Sequence, residues 1–114
     1  MREIKFRGKR VDNEEWVYGF YVGYSESDGY IYGDYIDKNE VWRVHTNTVG
    51  QFTGLYDKRD KEIYENDIVK EHEHWKAIYP VEYLDGYYNI DDDFYHCEVI
   101  GNIHDNPELL GTKK

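Results

Sequence analysis

Short runs of aromatic and β-branched residues alternate with turn residues at a spacing of about eight to twelve positions, the rhythm of a sandwich or barrel of short strands. Ile4 and Phe6 alternate with Lys5 and Arg7, the period-two pattern of a half-buried strand with its apolar residues turned inward. The turn Val11-Asp12-Asn13-Glu14 follows, then a second strand from Trp16 to Val22 that is apolar at both parities. Gly19 within it marks either a bend or a close approach of another backbone. A hairpin between these two strands is expected. Ser25 to Gly29 reads as a polar turn before Tyr30-Ile31-Tyr32, and Asp37 to Glu40 as another before Val41 to Val44. Further on, Val81 to Leu84 and Tyr87 to Ile90 flank Asp85-Gly86. Asp-Gly suits the two positive-φ positions of a type I′ hairpin turn. Cys97 to Ile100 is read as the last strand. Asn106-Pro107-Glu108-Leu109-Leu110 then reads as a cap with proline at the first position of a short helical turn. No long amphipathic helix is visible, so the fold class is all-β.

Composition narrows what such a fold can do. The 114 residues suffice for one buried core and a single domain over 1–114. Lys and Arg total 14 against 24 Asp and Glu, a net charge of −10. That excess would suggest disorder if aromatics were scarce. Here 13 Tyr, 4 Phe and 3 Trp supply 18% of the chain, enough to build a core. Residues 81–114 hold eight of the acids and only two bases. Attraction to a phosphate backbone or an anionic membrane needs clustered Lys and Arg, so general binding to nucleic acid or lipid is not expected. The exception is the basic start Arg2, Lys5, Arg7, Lys9 and Arg10. It is read as the polar face of an edge strand, where lysines discourage unwanted pairing. No apolar span approaches about 20 residues and no apolar segment follows the basic start, so neither spanning nor secretion is expected. Cys97 is the single cysteine, which excludes an intramolecular disulfide and a multi-cysteine zinc site.

The most distinctive stretch is 48–70, Thr-Val-Gly-Gln-Phe-Thr-Gly-Leu-Tyr-Asp-Lys-Arg-Asp-Lys-Glu-Ile-Tyr-Glu-Asn-Asp-Ile-Val-Lys. Gly50 and Gly54 are read as bracketing a turn, Asp57 to Lys61 as a polar loop, Ile63 and Tyr64 as anchors, and Asp67 as the lead into a strand. With Arg2 to Lys9 and Trp16 to Gly19 at the start, and Val99 to Ile103 and Asn106 to Leu110 at the end, this stretch resembles the YopX family of phage and prophage proteins. The resemblance spans essentially the whole chain, with no signature over 21–45 and 71–95. It implies an all-β fold containing a small SH3-type barrel, here with additional N-terminal β-hairpins and one short C-terminal helical turn. The cytoplasmic place expected from the lack of a spanning or secretory segment is then that of a bacterial host, and the resemblance carries over no catalytic position. Where the family pattern has glycine, this chain has Asp60 and Asn66. These are among the non-glycine residues that best tolerate the left-handed region, so both turns are expected to survive.

Few constellations point to chemistry. His72 and His74 share one face of a strand, and His45, His96 or His104 would have to supply a third zinc ligand. The interleaved Glu71 and Glu73 make an ordinary polar strand the better reading. Asp91-Asp92-Asp93 lacks the spaced ligands, turning glycine and closing glutamate of a calcium loop and is read as a solvated turn. His96 and Cys97 are neighbours whose side chains point to opposite faces of a strand, so they form no dyad. Cys97 is expected to be a small buried hydrophobe. No nucleophile elbow, phosphate loop or dinucleotide motif occurs. No catalytic, cofactor-binding or metal-ligating residue is therefore assigned, and no cofactor is expected.

Tyr18, Tyr21, Tyr24, Tyr30, Tyr32 and Tyr35 crowd one stretch near Trp16 and Trp42. Most are expected in the core, with a minority forming a platform for a protein partner or a second subunit. The leading expectation is a non-enzymatic phage accessory protein that binds another protein or itself. An alternative is a nucleic-acid mimic, with Asp91, Asp92, Asp93, Asp85 and Glu82 presented to the groove of a host DNA- or RNA-binding protein. A third, from the enzyme class, is a metal-dependent hydrolase using His72 and His74.

Overall fold

The computed structural model describes residues 4–23, 28–32, 41–71, 77–90 and 97–111; for residues 23 and 28–32 it describes the backbone alone. The chain divides into two compact units, 1–52 and 53–114.

In the first unit, strands β1 (Phe6–Lys9) and β2 (Trp16–Gly23) form the expected antiparallel hairpin, with Lys9 opposite Trp16 and Arg7 opposite Tyr18. Its turn closes through Arg10 N–H to Glu15 O and Glu14 N–H to Arg10 O, with Glu14 at φ 64°. Strand β3 (Asp28–Tyr32) pairs with β2, and β4 (Val41–His45) with β3. Asp28 and Gly29, read from sequence as part of a turn, already belong to the β3 ladder. The rest of that turn, and Asp37 to Glu40, lie outside the described residues.

On its other side β1 pairs with the start of β5 (Gly50–Tyr56). β1 is therefore an internal strand with neighbours on both sides, so its basic residues are not the guard of an edge. The sheet also curls: Arg10 bridges to Val44, and Val11 N–H bonds Arg43 O at 2.9 Å. Gly8 permits that curl, because a Cβ there would stand 3.2–3.3 Å from Val44, which is fully buried. A turn of 3-10 helix, Thr46–Thr48, follows β4, and Thr48 Oγ1 accepts Lys9 N–H at 2.9 Å.

Period two misassigns two side chains of the first strand. Arg7 is buried, its guanidinium 4.5 Å from the centre of the Trp16 ring, whereas Ile4, ahead of β1, is 61% exposed. A guanidinium on a long apolar stem can lie flat on an indole and leave water without losing its electrostatic partner.

In the second unit, the end of β5 leads to β6 (Glu62–Tyr64). A three-stranded antiparallel sheet has the order β11 (Cys97–Asn102), β7 (Asp67–Glu71), β8 (Ile78–Pro80). A separate pair consists of β9 (Tyr83–Leu84) and β10 (Tyr87–Tyr88). Ile63, Val69, Val81, Ile90 and Cys97 make the buried cluster, with Leu55, Tyr79, Tyr88 and Val99 packed against it. The chain then makes the expected single helical turn, Pro107–Leu110, with proline at its start and Gly111 left-handed at its end. Asn106 does not cap it through its side chain; its Oδ1 accepts Asn102 N–H instead.

Two expectations differ. Gly50 and Gly54 do not bracket a turn, since β5 runs through both; Gly54 takes φ 88° inside the strand, a conformation that glycine alone adopts freely. Strand β8 has no counterpart in the sequence analysis; it is three residues long and ends in Pro80, which cannot donate to a ladder. It is tolerated at the end of β8, on the edge of its sheet. Among the described residues the strands form several small antiparallel sheets, and no closed barrel is found. No helix among them is long and apolar enough to cross a membrane.

Candidate binding surface

The stretch that carries the family resemblance is built for holding turns. Asp57, 1% exposed, accepts Arg59 N–H and Lys61 N–H on Oδ1 and Val99 N–H on Oδ2, all at 2.8–2.9 Å. Asp67 Oδ2 accepts Tyr64 N–H at 2.8 Å, and Asn102 Oδ1 accepts the amides of His104 and Asp105. Asp60 and Asn66 sit at φ 66° and 72°, as expected of residues standing where glycine is usual. Carboxylates occupied by backbone donors are poorly placed to take a proton from a substrate or to hold a metal. These residues order the main chain.

The surface feature with binding character is the hairpin β9–β10. Asp85 and Gly86 take φ 49° and 97°, as the type I′ turn requires. Beyond the short ladder, Asn89 N–H bonds Glu82 O, Glu82 N–H bonds Asn89 Oδ1, and Asn89 Nδ2 reaches Pro80 O. Tyr88 faces the core and donates its hydroxyl to Glu65 at 2.9 Å. Its ring meets Tyr83 edge-on, with centroids 5.0 Å apart. With the hairpin held from below, Tyr83, Leu84 and Tyr87 stand 55%, 48% and 68% exposed. A shallow depression beside them is lined by Glu65, Asn66, Val81, Glu82, Tyr83 and Leu84. Large apolar side chains flanked by carboxylates make a surface suited to a partner that is both apolar and cationic.

That surface was partly visible in the sequence. Tyr83 and Leu84 are consecutive, so on a strand they point to opposite faces, and only one face can meet a core. The tyrosine-rich stretch is mixed where it is described. Tyr18 is 45% exposed and Phe20 55%, while Tyr21, Trp16 and Trp42 are half-buried. Tyr24 and Tyr35 lie outside the described residues, as do His72, His74, His96 and Asp91 to Asp93. His45 bonds the Glu14 carboxylate at 2.9 Å, and His104 occupies the turn after β11. Among the described residues no group of three or more His, Cys, Asp or Glu is placed to hold a metal ion. Cys97 is buried as expected, and desolvation, then the Asp57 and Glu71 charges, push its thiol up to about 11. Such a thiol is a weak nucleophile at neutral pH.

A family model described as YopX protein matches residues 5–111. Among solved structures, the fold is similar to the crystal structure of protein EF1440 from Enterococcus faecalis. The TM-score is 0.60, the sequences are 23% identical, and the match covers 96% of this chain and 99% of that one. At that identity the likeness is one of fold. No curated protein matches the chain in sequence.

Proposed function

The chain belongs to the YopX family, and on that footing we propose that it is a non-enzymatic, acidic protein-binding module of phage and prophage, acting in the bacterial cytoplasm. The observation that carries this reading is the hairpin β9–β10, which leaves Tyr83, Leu84 and Tyr87 exposed, with Tyr83 and Leu84 lining a depression shared with Glu65 and Glu82. Exposed tyrosines bring large, stiff contact area at a small loss of conformational entropy. The strands after residue 52 are proposed to form a small SH3-type barrel that presents this hairpin. Bonds from Asp57 to β11 and from Asn66 to Val81 and Ile103 support that arrangement. The family match, running from residue 5 to 111, supports treating both compact units as one YopX-like domain. The partner is a protein face that combines cationic and apolar groups. A host DNA- or RNA-binding protein, held by mimicry of nucleic acid, is one such partner, and Glu82 and Asp85 would supply part of the charge.

The test compares the wild-type chain with Leu84→Glu and Tyr87→Ser as immobilised baits for host lysate. A partner retained by the wild type and lost by both variants, with their melting unchanged, supports the reading. A partner that tolerates both variants overturns the hairpin as its site. Release of the partner by moderate salt favours the mimic, because steered charge pairs are screened; retention favours the apolar contact.

A further inference from the structure

A second surface, chemically opposite to the hairpin, lies in the first unit. Directly opposed residues of antiparallel strands share a face, and so do residues two apart on one strand. The register of β1 with β2 sets Arg7 against Tyr18 and Lys9 against Trp16; Lys5, just ahead of β1, and Phe20, two residues beyond Tyr18 on β2, continue the same alternation. One face of this hairpin thus carries Arg7 and Lys9 on β1, Lys5 just ahead of it, and three aromatic rings on β2, with no acidic residue at any of the six positions. The cations are already engaged with rings. Arg7 lies 4.5 Å over Trp16, Lys9 lies 5.8 Å from the same ring, and Lys5 lies 5.5 Å from the ring of Phe52. Tyr18 and Phe20 remain about half exposed on that face. Because β1 is internal to its sheet, protection of an edge does not account for these charges.

We propose that this face binds single-stranded nucleic acid. Rings at alternate positions of a strand are spaced by about 6.6 Å, close to two base-stacking heights, so an unpaired strand can lay bases on or between Tyr18 and Phe20. Lys5 and Lys9 meet its phosphates, while the buried guanidinium of Arg7 fixes the orientation of Trp16. The net charge of −10 does not forbid this. At physiological ionic strength a charge is screened beyond about 8 Å, so the local cations decide. A duplex is a poorer ligand, because its bases are stacked on one another and offer no free ring face. The surface is separate from the β9–β10 hairpin, so this inference goes beyond the protein-binding reading and stands or falls without it.

The test titrates the full chain into a labelled oligothymidylate of about 12 nucleotides and follows fluorescence anisotropy. Binding should weaken with salt, the slope of log K against log salt being about −0.7 for each phosphate contacted. Lys9→Gln should remove about one such contact from the slope. Tyr18→Ala and Phe20→Ala should each weaken binding by about tenfold, whereas Tyr18→Phe and Phe20→Trp, which keep a ring, should retain it. Circular dichroism melts establish that each variant is folded. Absence of binding at low salt would overturn the proposal. So would equal affinity for polyglutamate, or for a duplex of matched length, with Tyr18→Ala and Phe20→Ala without effect, since the face would then be a mere anion attractor.

Discussion

Asp57 and Val99 are joined by one hydrogen bond, from the Val99 amide to Asp57 Oδ2 at 2.9 Å. The same carboxylate closes its own turn by accepting Arg59 N–H and Lys61 N–H, so one side chain orders a loop and ties it to β11. Beside it, Lys58 N–H bonds Cys97 O at 3.0 Å. A distinctive polar residue thus has a structural reason to be where it is.

Replacing Asp57 separates two roles of that carboxylate. Bonds to a charged group contribute about 1.5–3 kcal/mol each, and a buried donor left unpaired costs more than the bond itself contributed. Asp57→Ala should therefore lower stability by about 4 kcal/mol. Asp57→Asn keeps one acceptor for the turn but sets an amide donor against Val99 N–H, and should lose about 2 kcal/mol. Urea unfolding at fixed slope measures both, and equal losses would contradict the division of labour.

The left-handed positions give an opposite sign. Asp60 and Asn66 hold φ 66° and 72°, where a side chain is strained and glycine is not. Asn66→Gly should be stabilising or neutral, within about 1 kcal/mol, and Asn66→Ala should destabilise by about 1 kcal/mol. The backbone bonds Asn66 N–H to Val81 O and Ile103 N–H to Asn66 O persist in both, so the difference between the variants isolates the conformational term. Denaturation midpoints read it directly.

Gly8 meets a steric limit instead. A Cβ added there stands 3.2–3.3 Å from three carbons of the fully buried Val44. Gly8→Ala should cost about 1–3 kcal/mol by overpacking, and Val44→Ala in the same chain should return part of that loss. A double-mutant cycle would report coupling between the two sites, and strict additivity would mean that they do not press on one another.

Alkaline titration should reveal Cys97. Its ordinary value of 9.0 is raised to about 11 by burial first and by the Asp57 and Glu71 charges second. The folded chain holds the thiol proton more tightly than the unfolded chain. The resulting stability is complete below pH 9 and is lost as pH rises from 9 to 11, by up to about 3 kcal/mol. Cys97→Ala should flatten this part of the stability profile relative to wild type. Alkylation of the native chain should be slow at pH 8 and fast once urea exposes the thiol.

What could be read in advance follows from how local each cause is. Asp85-Gly86 was legible because two adjacent positive φ angles are satisfied by few dipeptides. Asp60 and Asn66 were legible by another route, because the family pattern has glycine at both positions and Asp and Asn are among the residues that best tolerate its left-handed region. Arg7 was not, since period two assigns a basic residue outward and takes no account of an indole across the hairpin able to cover it. Nor was β5, whose glycines suit a turn as well as a bent strand. The internal position of β1 depends on its pairing with β5, some forty residues away in sequence, and no local pattern reports a pairing at that distance. The exposed hairpin was half legible. Its turn was plain, but the outward Leu84 becomes evident only when the other strand face is seen to be the one that meets the core.

The anchoring of the turns through the main chain has a practical consequence. Arg59, Lys61 and Val99 meet Asp57 through amides that every residue except proline possesses, so their side chains can be exchanged while the anchor remains. At the hairpin tip a Cβ added at Gly86 would meet nothing within 4 Å, but its φ of 97° reserves the position for glycine. A chain of this kind is a display scaffold: a few carboxylate and amide side chains secure the frame, and the exposed positions Tyr83, Leu84 and Tyr87 are open to randomisation and selection for new partners.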